Sequence, residues 1–316
     1  MRYHYRDDKV GLMHGEVSIQ QLEYLLALAR ERHFGRAASA CHVSQPTLSV
    51  AIRKLEHELD VVIVLRGQRF EGFTAEGQRV VTWAHRILAE RNELLTDIER
   101  MRGGLTVTAR IGAVPTSVPA SPLVTGKFLQ RYPGATVQVE SLSSREIARR
   151  LGEFELDAGL TYLDAETPPG TRGVELYRER YVLIAPMAHS VMQQDEVRWS
   201  EAAQLRLCSL TTTMRNRRII DANMAADGVQ FRPVVEADTV AAIYAHLTTL
   251  RLASVVAHTW LQAFGLPDGL AMRPMVVHEP GPAVGLIVLD REPNSLVAEA
   301  LFAAATEAGA QGAEAG

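Results

Sequence analysis

The feature that most constrains this chain is a long apolar stripe in its first third. Val80, Ala84, Ile87, Arg91, Leu94, Ile98 and Met101 follow one another at alternating spacings of four and three residues. That is the 3.5-residue period of a helix seam packed against another helix. With Thr74 as N-cap and Gly103-Gly104 as a sharp stop, the pattern predicts one helix from about Ala75 to Arg102. Val81, Leu88 and Leu95 widen the stripe on one flank, and Arg91 interrupts it. A helix this long with one apolar face needs a partner. No neighbouring helical segment is placed to cover the stripe, so the expected contact is with a second copy, through Val80, Ala84, Ile87, Leu94, Ile98 and Met101. The alternative is an ordinary surface helix docked on its own domain.

Three short helices precede the stripe. Ser18-Ile19-Gln20-Gln21 reads as a capping box, followed by Ile19, Leu22, Leu25, Leu26 and Ala29 at helical spacing, with Gly35 as the expected break. Arg36 to Cys41, rich in small alanines, reads as a second helix. The third, from about Gln45 to Leu59, has Ser44 as N-cap, Pro46 in its first turn, and Leu48, Ile52, Leu55 and Leu59 on one face. Val61 to Leu65 and Phe70 to Phe73 then form a hairpin, or wing, with Arg66 and Arg69 at its tip. Together these make a winged helix-turn-helix over residues 17–74. Residues 75–104 are the linker helix.

From Leu105 onward, strand-like and helical runs alternate. The rhythm predicts a mostly parallel α/β sheet, and its length suggests two sub-domains within 105–305. One takes residues 105–178 and 277–305, the other residues 179–276. The ends, 1–16 and 306–316, read as flexible tails, and Met13 is an alternative start. A net charge of -4 over 316 residues excludes a protein that coats nucleic acid or membrane with its whole surface, but not one with a local DNA face. No apolar run is long enough to span a bilayer and no secretory h-region opens the chain, so a cytoplasmic protein is expected. There is no G-x-S-x-G elbow, GxGxxG loop or metal-ligand spacing. Catalytic residues, metals and cofactors are therefore not expected.

Several segments resemble the LysR-type transcriptional regulators. They are Gln21 to Leu25, Phe34, Ala37-Ala38, Val43 to Ser49, Ile52, Leu55-Glu56 and Leu59, then Arg66, Thr74 and Glu76-Gly77. Ile111 to Ser117, Phe128 to Pro133 and Leu151 to Leu160 are similar to segments of the family's effector domain. The resemblance covers roughly residues 17 to 300. It implies a winged helix-turn-helix, a dimerising linker, and a periplasmic-binding-protein-like effector domain of two Rossmann-like sub-domains. It further implies a homodimer or homotetramer on a promoter inverted repeat, a small-molecule effector, and RNA polymerase as a partner at the nucleoid. Three departures stand out. Asp60 replaces a usual glycine, Val50 and Ala51 replace a basic and a polar residue, and Leu250 and Leu252 replace two glycines of a loop bordering the effector cleft.

On the expected DNA face, Gln45, Thr47, Ser49 and Arg53 point to base edges, with Pro46 beside a thymine methyl. Ser44, Arg53, Lys54, Arg66 and Arg69 suit phosphate oxygens, which set register rather than sequence. The alternative is that these are solvated helix and turn positions. Charge helps little, since residues 1–75 carry ten Lys/Arg against nine Asp/Glu.

For the effector, strand ends meeting helix N-termini are the expected site. Thr116 and Ser117 follow the first strand of the domain, and by resemblance match effector-contact positions; alternatively they cap the next helix. Thr212, Thr213 and Arg215 form a second expected wall, with Thr161, Tyr162 and His258 at the sides. Hydroxyls with Arg215 suggest a small anionic metabolite. Some family members sense peroxide through a cysteine, but that position falls near Thr213 here; Cys41 and Cys208 read as packing residues. The rival readings are an enzyme and a small-molecule-binding protein without promoter function.

Overall fold

In the computed structural model, which describes residues 16–66, 70–101, 107–164, 167–292 and 294–314, the chain divides into two units at Leu94. The first is built as its capping signals dictate. Ser18 accepts from the Gln21 amide and Gln21 reaches back to Ser18, starting α1 (Ile19–Glu31). The helix stops at Arg32, which takes a left-handed conformation with φ 47°, and His33 caps α2 (Phe34–Ala40) through Nδ1. The break therefore lies at Arg32-His33 and Gly35 sits inside α2, because the imidazole of His33 accepts from the first free amides of that helix. Ser44 caps α3 (Gln45–Leu59), with Pro46 in its first turn.

Strands β1 (Val64–Arg66) and β2 (Phe70–Phe73) form the antiparallel wing, and α4 (Ala75–Met101) follows. Glu56 ties α3 to the wing by accepting from the Ile63 and Val64 amides at 2.9 and 3.0 Å. Thr74 donates to the Val62 carbonyl and accepts from the Gly77 amide, so it joins wing and helix start. A Cβ on Gly77 would stand 2.1 Å from the Ile63 carbonyl oxygen, so only glycine permits this approach. Leu25, Leu28, Leu48, Ile52, Leu55 and Ile63 fill the core, joined by Val81, Ala84 and Leu88 of α4. Arg66 beyond its backbone, Arg69, the Met101 side chain and Gly103-Gly104 lie outside the described residues.

The second unit holds two sheets. The five-stranded one has the order β4 (Thr136–Ser141), β3 (Thr108–Ala113), β5 (Ala158–Tyr162), β12 (Ala283–Leu289), β6 (Thr171–Arg178). Helices α5 (Pro122–Arg131) and α6 (Ser144–Gly152) connect its early strands. The three-stranded sheet orders β10 (Ser254–Ala257), β7 (Tyr181–Pro186) and β11 (Leu270–Pro274). Beside it lie the short α7 (Trp199–Ala202), the parallel pair β8 (Cys208–Leu210) and β9 (Val235–Ala237), and helices α8 (Arg215–Ala226), α9 (Val240–Leu250) and α10 (Thr259–Phe264). Leu207 bridges to Ala253, linking this pair to β10.

The expectation of a mostly parallel sheet is corrected. β3 runs parallel to β4 and β5, but β12 is antiparallel to β5 and β6, and β7 is antiparallel to β10 and β11. The chain leaves the first sheet after β6 and returns only at β12, so that strand enters from the opposite end rather than by a βαβ crossover. The C-terminal tail is corrected too. Helix α11 (Leu296–Glu314) continues through Thr306, with Leu301, Ala304 and Ala305 buried on the first sheet. Alanine-rich composition there serves close helix packing rather than disorder. No helix among the described residues is long and apolar enough to cross a membrane.

Candidate functional site

Helix α3 buries Leu48, Ile52 and Leu55, which fixes what it can offer outward. At 100° per residue, the stripe opposite those three side chains is Pro46, Val50, Arg53 and His57, with Lys54 and Thr47 at its edge. Ser44, Gln45, Pro46, Thr47, Arg53 and Lys54 are exposed and Ser49 is half-buried on the flank. Lys54 lies 3.4 Å from Glu58, whose carboxylate also accepts from Gln21 at 2.8 Å. The Ser44 hydroxyl is engaged as the cap, 2.8 Å from the Thr47 hydroxyl and accepting from the Thr47 amide. Val50, noted in the sequence as a departure but not counted among the DNA contacts, is 60% exposed in the middle of the outward stripe. Its signal was present: an apolar residue out of phase with the buried face of an amphipathic helix.

The α4 stripe divides. Ala84 is fully buried in its own unit, so it is not available to a second chain in the way the sequence predicted, and Val80 is half-buried beside the same core. Trp83, Ile87, Leu94, Leu95 and Ile98 are exposed instead, and Arg91 pairs with Glu23 at 3.2 Å. The exposed apolar face of α4 therefore lies toward Trp83 rather than Ala84, because Val81, Ala84 and Leu88 belong to the head's own core.

In the second unit the predicted effector residues separate into three groups. Thr116, Ser117, Thr161 and Tyr162 are buried. Ser117 donates its hydroxyl toward the Val114 and Leu160 carbonyls at 3.0 Å, and Thr161 donates to Ser144. Both are spent on the fold. Thr212 and Thr213 are exposed on the loop before α8, with Thr213 beside the Thr211 hydroxyl at 2.8 Å. Arg215 is held by Asp164 at 2.8 and 3.0 Å, and His258 accepts the Arg180 amide on Nδ1 with its ring edge-on to Tyr177. Burial lowers the His258 pKa, favouring the neutral ring.

Thr116 and Tyr162 lead to a cluster that sequence reasoning missed. Their hydroxyls are 3.1 Å apart; Tyr162 donates to Glu179 Oε2 at 3.0 Å and Tyr181 donates to the same oxygen at 2.9 Å. Glu179 is fully buried where the chain passes from β6 to β7. Burial pushes its carboxyl up more than the surrounding hydroxyls bring it down, and burial next to Glu179 pushes both phenols well up. A Cβ on Gly281 would fall 1.7 Å from the Glu179 carbonyl oxygen, so the returning chain crosses tightly against this point.

Next to the cluster is a small, partly open pocket. Thr116, Asn216, Val240, Ile243, Val256 and Trp260 are among its walls. Asn216 Nδ2, Trp260 Nε1 and Glu179 Oε1 are buried without a hydrogen bond of normal geometry. Among the described residues no group of His, Cys, Asp and Glu is placed to hold a metal ion. Cys208 is buried, its thiol pushed up to about 11 by burial, and Cys41 is half-buried.

Residues 19–78 match the bacterial regulatory helix-turn-helix protein, lysR family, and residues 102–310 match the LysR substrate binding domain. The DNA-binding transcriptional dual regulator OxyR of Escherichia coli K12 is 30% identical over 281 residues, covering 86% of this chain and 89% of that one. A probable RuBisCO transcriptional regulator of Porphyra purpurea is 29% identical over 237 residues, covering 72% and 73%. Among solved structures, full-length OxyR from Pseudomonas aeruginosa superposes with a TM-score of 0.71 at 23% identity, covering 92% of this chain and 95% of that one. CbnR in complex with its target DNA gives 0.68 at 20%, covering 92% and 100%. At those identities the superpositions speak for the fold, while the matched domains and the relative sharing nearly the full length speak for kinship. The chain belongs to the LysR family of transcriptional regulators, DNA-binding proteins governed by a small-molecule effector rather than enzymes.

Proposed function

We propose that this regulator acts in the cytoplasm, at the nucleoid, as a homo-oligomer whose paired heads read a promoter inverted repeat. The observation that carries this reading is the outward stripe of α3, free of core duty and flanked by basic side chains. Gln45, Thr47 and Ser49 read base edges; Pro46 and Val50 meet thymine methyls. Ser44, Arg53, Lys54, Arg66 and Arg69 meet phosphates. The exposed stripe Trp83, Ile87, Leu94 and Ile98 supports pairing of two chains, and two half-sites on one dimer raise a modest affinity per head.

Effector binding in the second unit shifts the population between arrangements that differ in head spacing, and RNA polymerase is recruited or released. The test is gel retardation with DNA upstream of the gene over a salt series. Specific retardation that weakens steeply with salt is expected; no retardation by any local fragment overturns the reading. Replacing thymine by uracil at a contacted position removes one methyl, worth ~0.8 kcal/mol of buried carbon. Binding should fall a few-fold, and Val50→Ala should abolish that difference.

A further inference from the structure

The pocket beside Glu179 has walls of one chemical kind. Leu210, Val240, Ile243, Val255, Val256 and the indole of Trp260 supply an apolar lining. Its hydroxyls are engaged: Thr116 with Tyr162 at 3.1 Å, and Ser254 donating to the Cys208 carbonyl at 2.8 Å. What remains are two side-chain donors on residues more than nine-tenths buried: Trp260 Nε1, without a hydrogen-bond partner, and Asn216 Nδ2, which lies beside Glu179 and Tyr162 without a hydrogen bond of normal geometry. Trp260 is held in place edge-on to Tyr244 and Phe264, so its indole is pre-positioned.

No lysine or arginine is among the lining residues. The nearest in sequence are committed elsewhere. Arg215 is paired with Asp164, and Arg217 binds Asp221 at 2.8 Å, Glu236 at 2.6 Å and the Leu210 carbonyl at 3.0 Å. The ionisable groups beside Thr116 are the phenol of Tyr162 and, beyond it, the carboxyl of Glu179. A carboxylate ligand would give up its water without meeting a cation, a penalty of several kcal/mol for an uncompensated ion. A neutral acceptor loses far less, and its carbonyl oxygen would satisfy N–H groups that are otherwise buried unpaired.

Building on the proposed effector role of this unit, we propose that the pocket binds an uncharged molecule carrying a carbonyl acceptor, an amide or a ketone, on a compact hydrocarbon body, and that it rejects carboxylates. This revises the anionic ligand expected from the sequence. That expectation counted Thr116, Ser117 and Arg215 as free to contact it, and the structure engages all three.

The test uses the full chain and two isosteric pairs, isobutyramide with isobutyrate and cyclohexanecarboxamide with cyclohexanecarboxylate. Each is titrated to 50 mM while the indole N–H resonances of Trp83, Trp199 and Trp260 are followed, the last assigned by Trp260→Phe. The amides should move the Trp260 resonance to saturation and the carboxylates should need at least tenfold higher concentration. Asn216→Ala should weaken the amides at least fivefold. If the carboxylates move it as readily, the neutral class is wrong while a ligand pocket stands. If neither does, the pocket is not a ligand site and the proposal falls. DNA retardation measured on the same sample is independent of both results, so it separates failure of this inference from failure of the regulator reading.

Discussion

Single residues in this chain carry strain and charge in places where a neutral substitution is easy to imagine. Asp60 ends α3 in the left-handed region at φ 51°, which favours glycine. Asp60→Gly should therefore stabilise the first unit by about 0.5–1 kcal/mol, read as a rise in Tm. The corresponding surprise in α9 is that the left-handed residue is Arg251, at φ 48°, and neither of the two leucines that replace the family's glycines. Leu252 is buried in the core and Leu250 is exposed at the helix end. Glu179 makes a pH prediction. Its folded pKa lies above the ordinary carboxylate value, so the native state holds a proton that the unfolded chain has released. Its contribution is complete below the unfolded pKa and is lost as pH rises through the folded one. The phenols of Tyr162, Tyr177 and Tyr181 are the titratable groups around it, and all are raised, so they stay neutral over this window. The Tm of the second unit should fall with rising pH more in the native chain than in Glu179→Gln. Equal slopes would show that Glu179 does not hold the proton.

At the scale of elements, the sequence was legible wherever a local rule decided the outcome. The capping box at Ser18, the Ser44 cap, the span of α3 and strands β5 and β7 follow from residues close in sequence. What escaped it depended on distant partners. β6, whose apolar residues are broken up by Arg172, Glu175 and Arg178, becomes a strand by pairing with β12, more than 100 residues later. The same holds for the site: Thr116 and Tyr162 were foreseen, but Glu179, Tyr181, Asn216 and Trp260 are joined to them only by the tertiary fold. The α4 stripe shows the limit of periodicity, which marks an apolar face without saying which neighbour covers each part. Two substitutions separate the parts. Leu94→Asp, at a side chain 61% exposed, should give monomers by sedimentation with the head still folded. Ala84→Asp should unfold the head, because it places an unpaired charge in a sealed core.

At the scale of the molecule, the two units own separate cores, Leu25, Leu28, Leu48 and Ile52 in one and Ile111, Phe128, Leu160 and Leu286 in the other. Calorimetry should show two transitions rather than one. Operator DNA should raise the first alone and a pocket ligand the second alone, each by mass action on the state it binds. A single transition moved by both would mean the units unfold as one.

The contrast between the two cysteines has a practical sequel. Cys208 is sealed in β8, whereas Cys41 stands partly open at the end of α2. A mildly alkaline maleimide reaction should therefore tag each native polypeptide once, on its reading head, without any engineered thiol. Pulsed dipolar spectroscopy between two such spin labels would then give the head-to-head span directly, with and without ligand or operator.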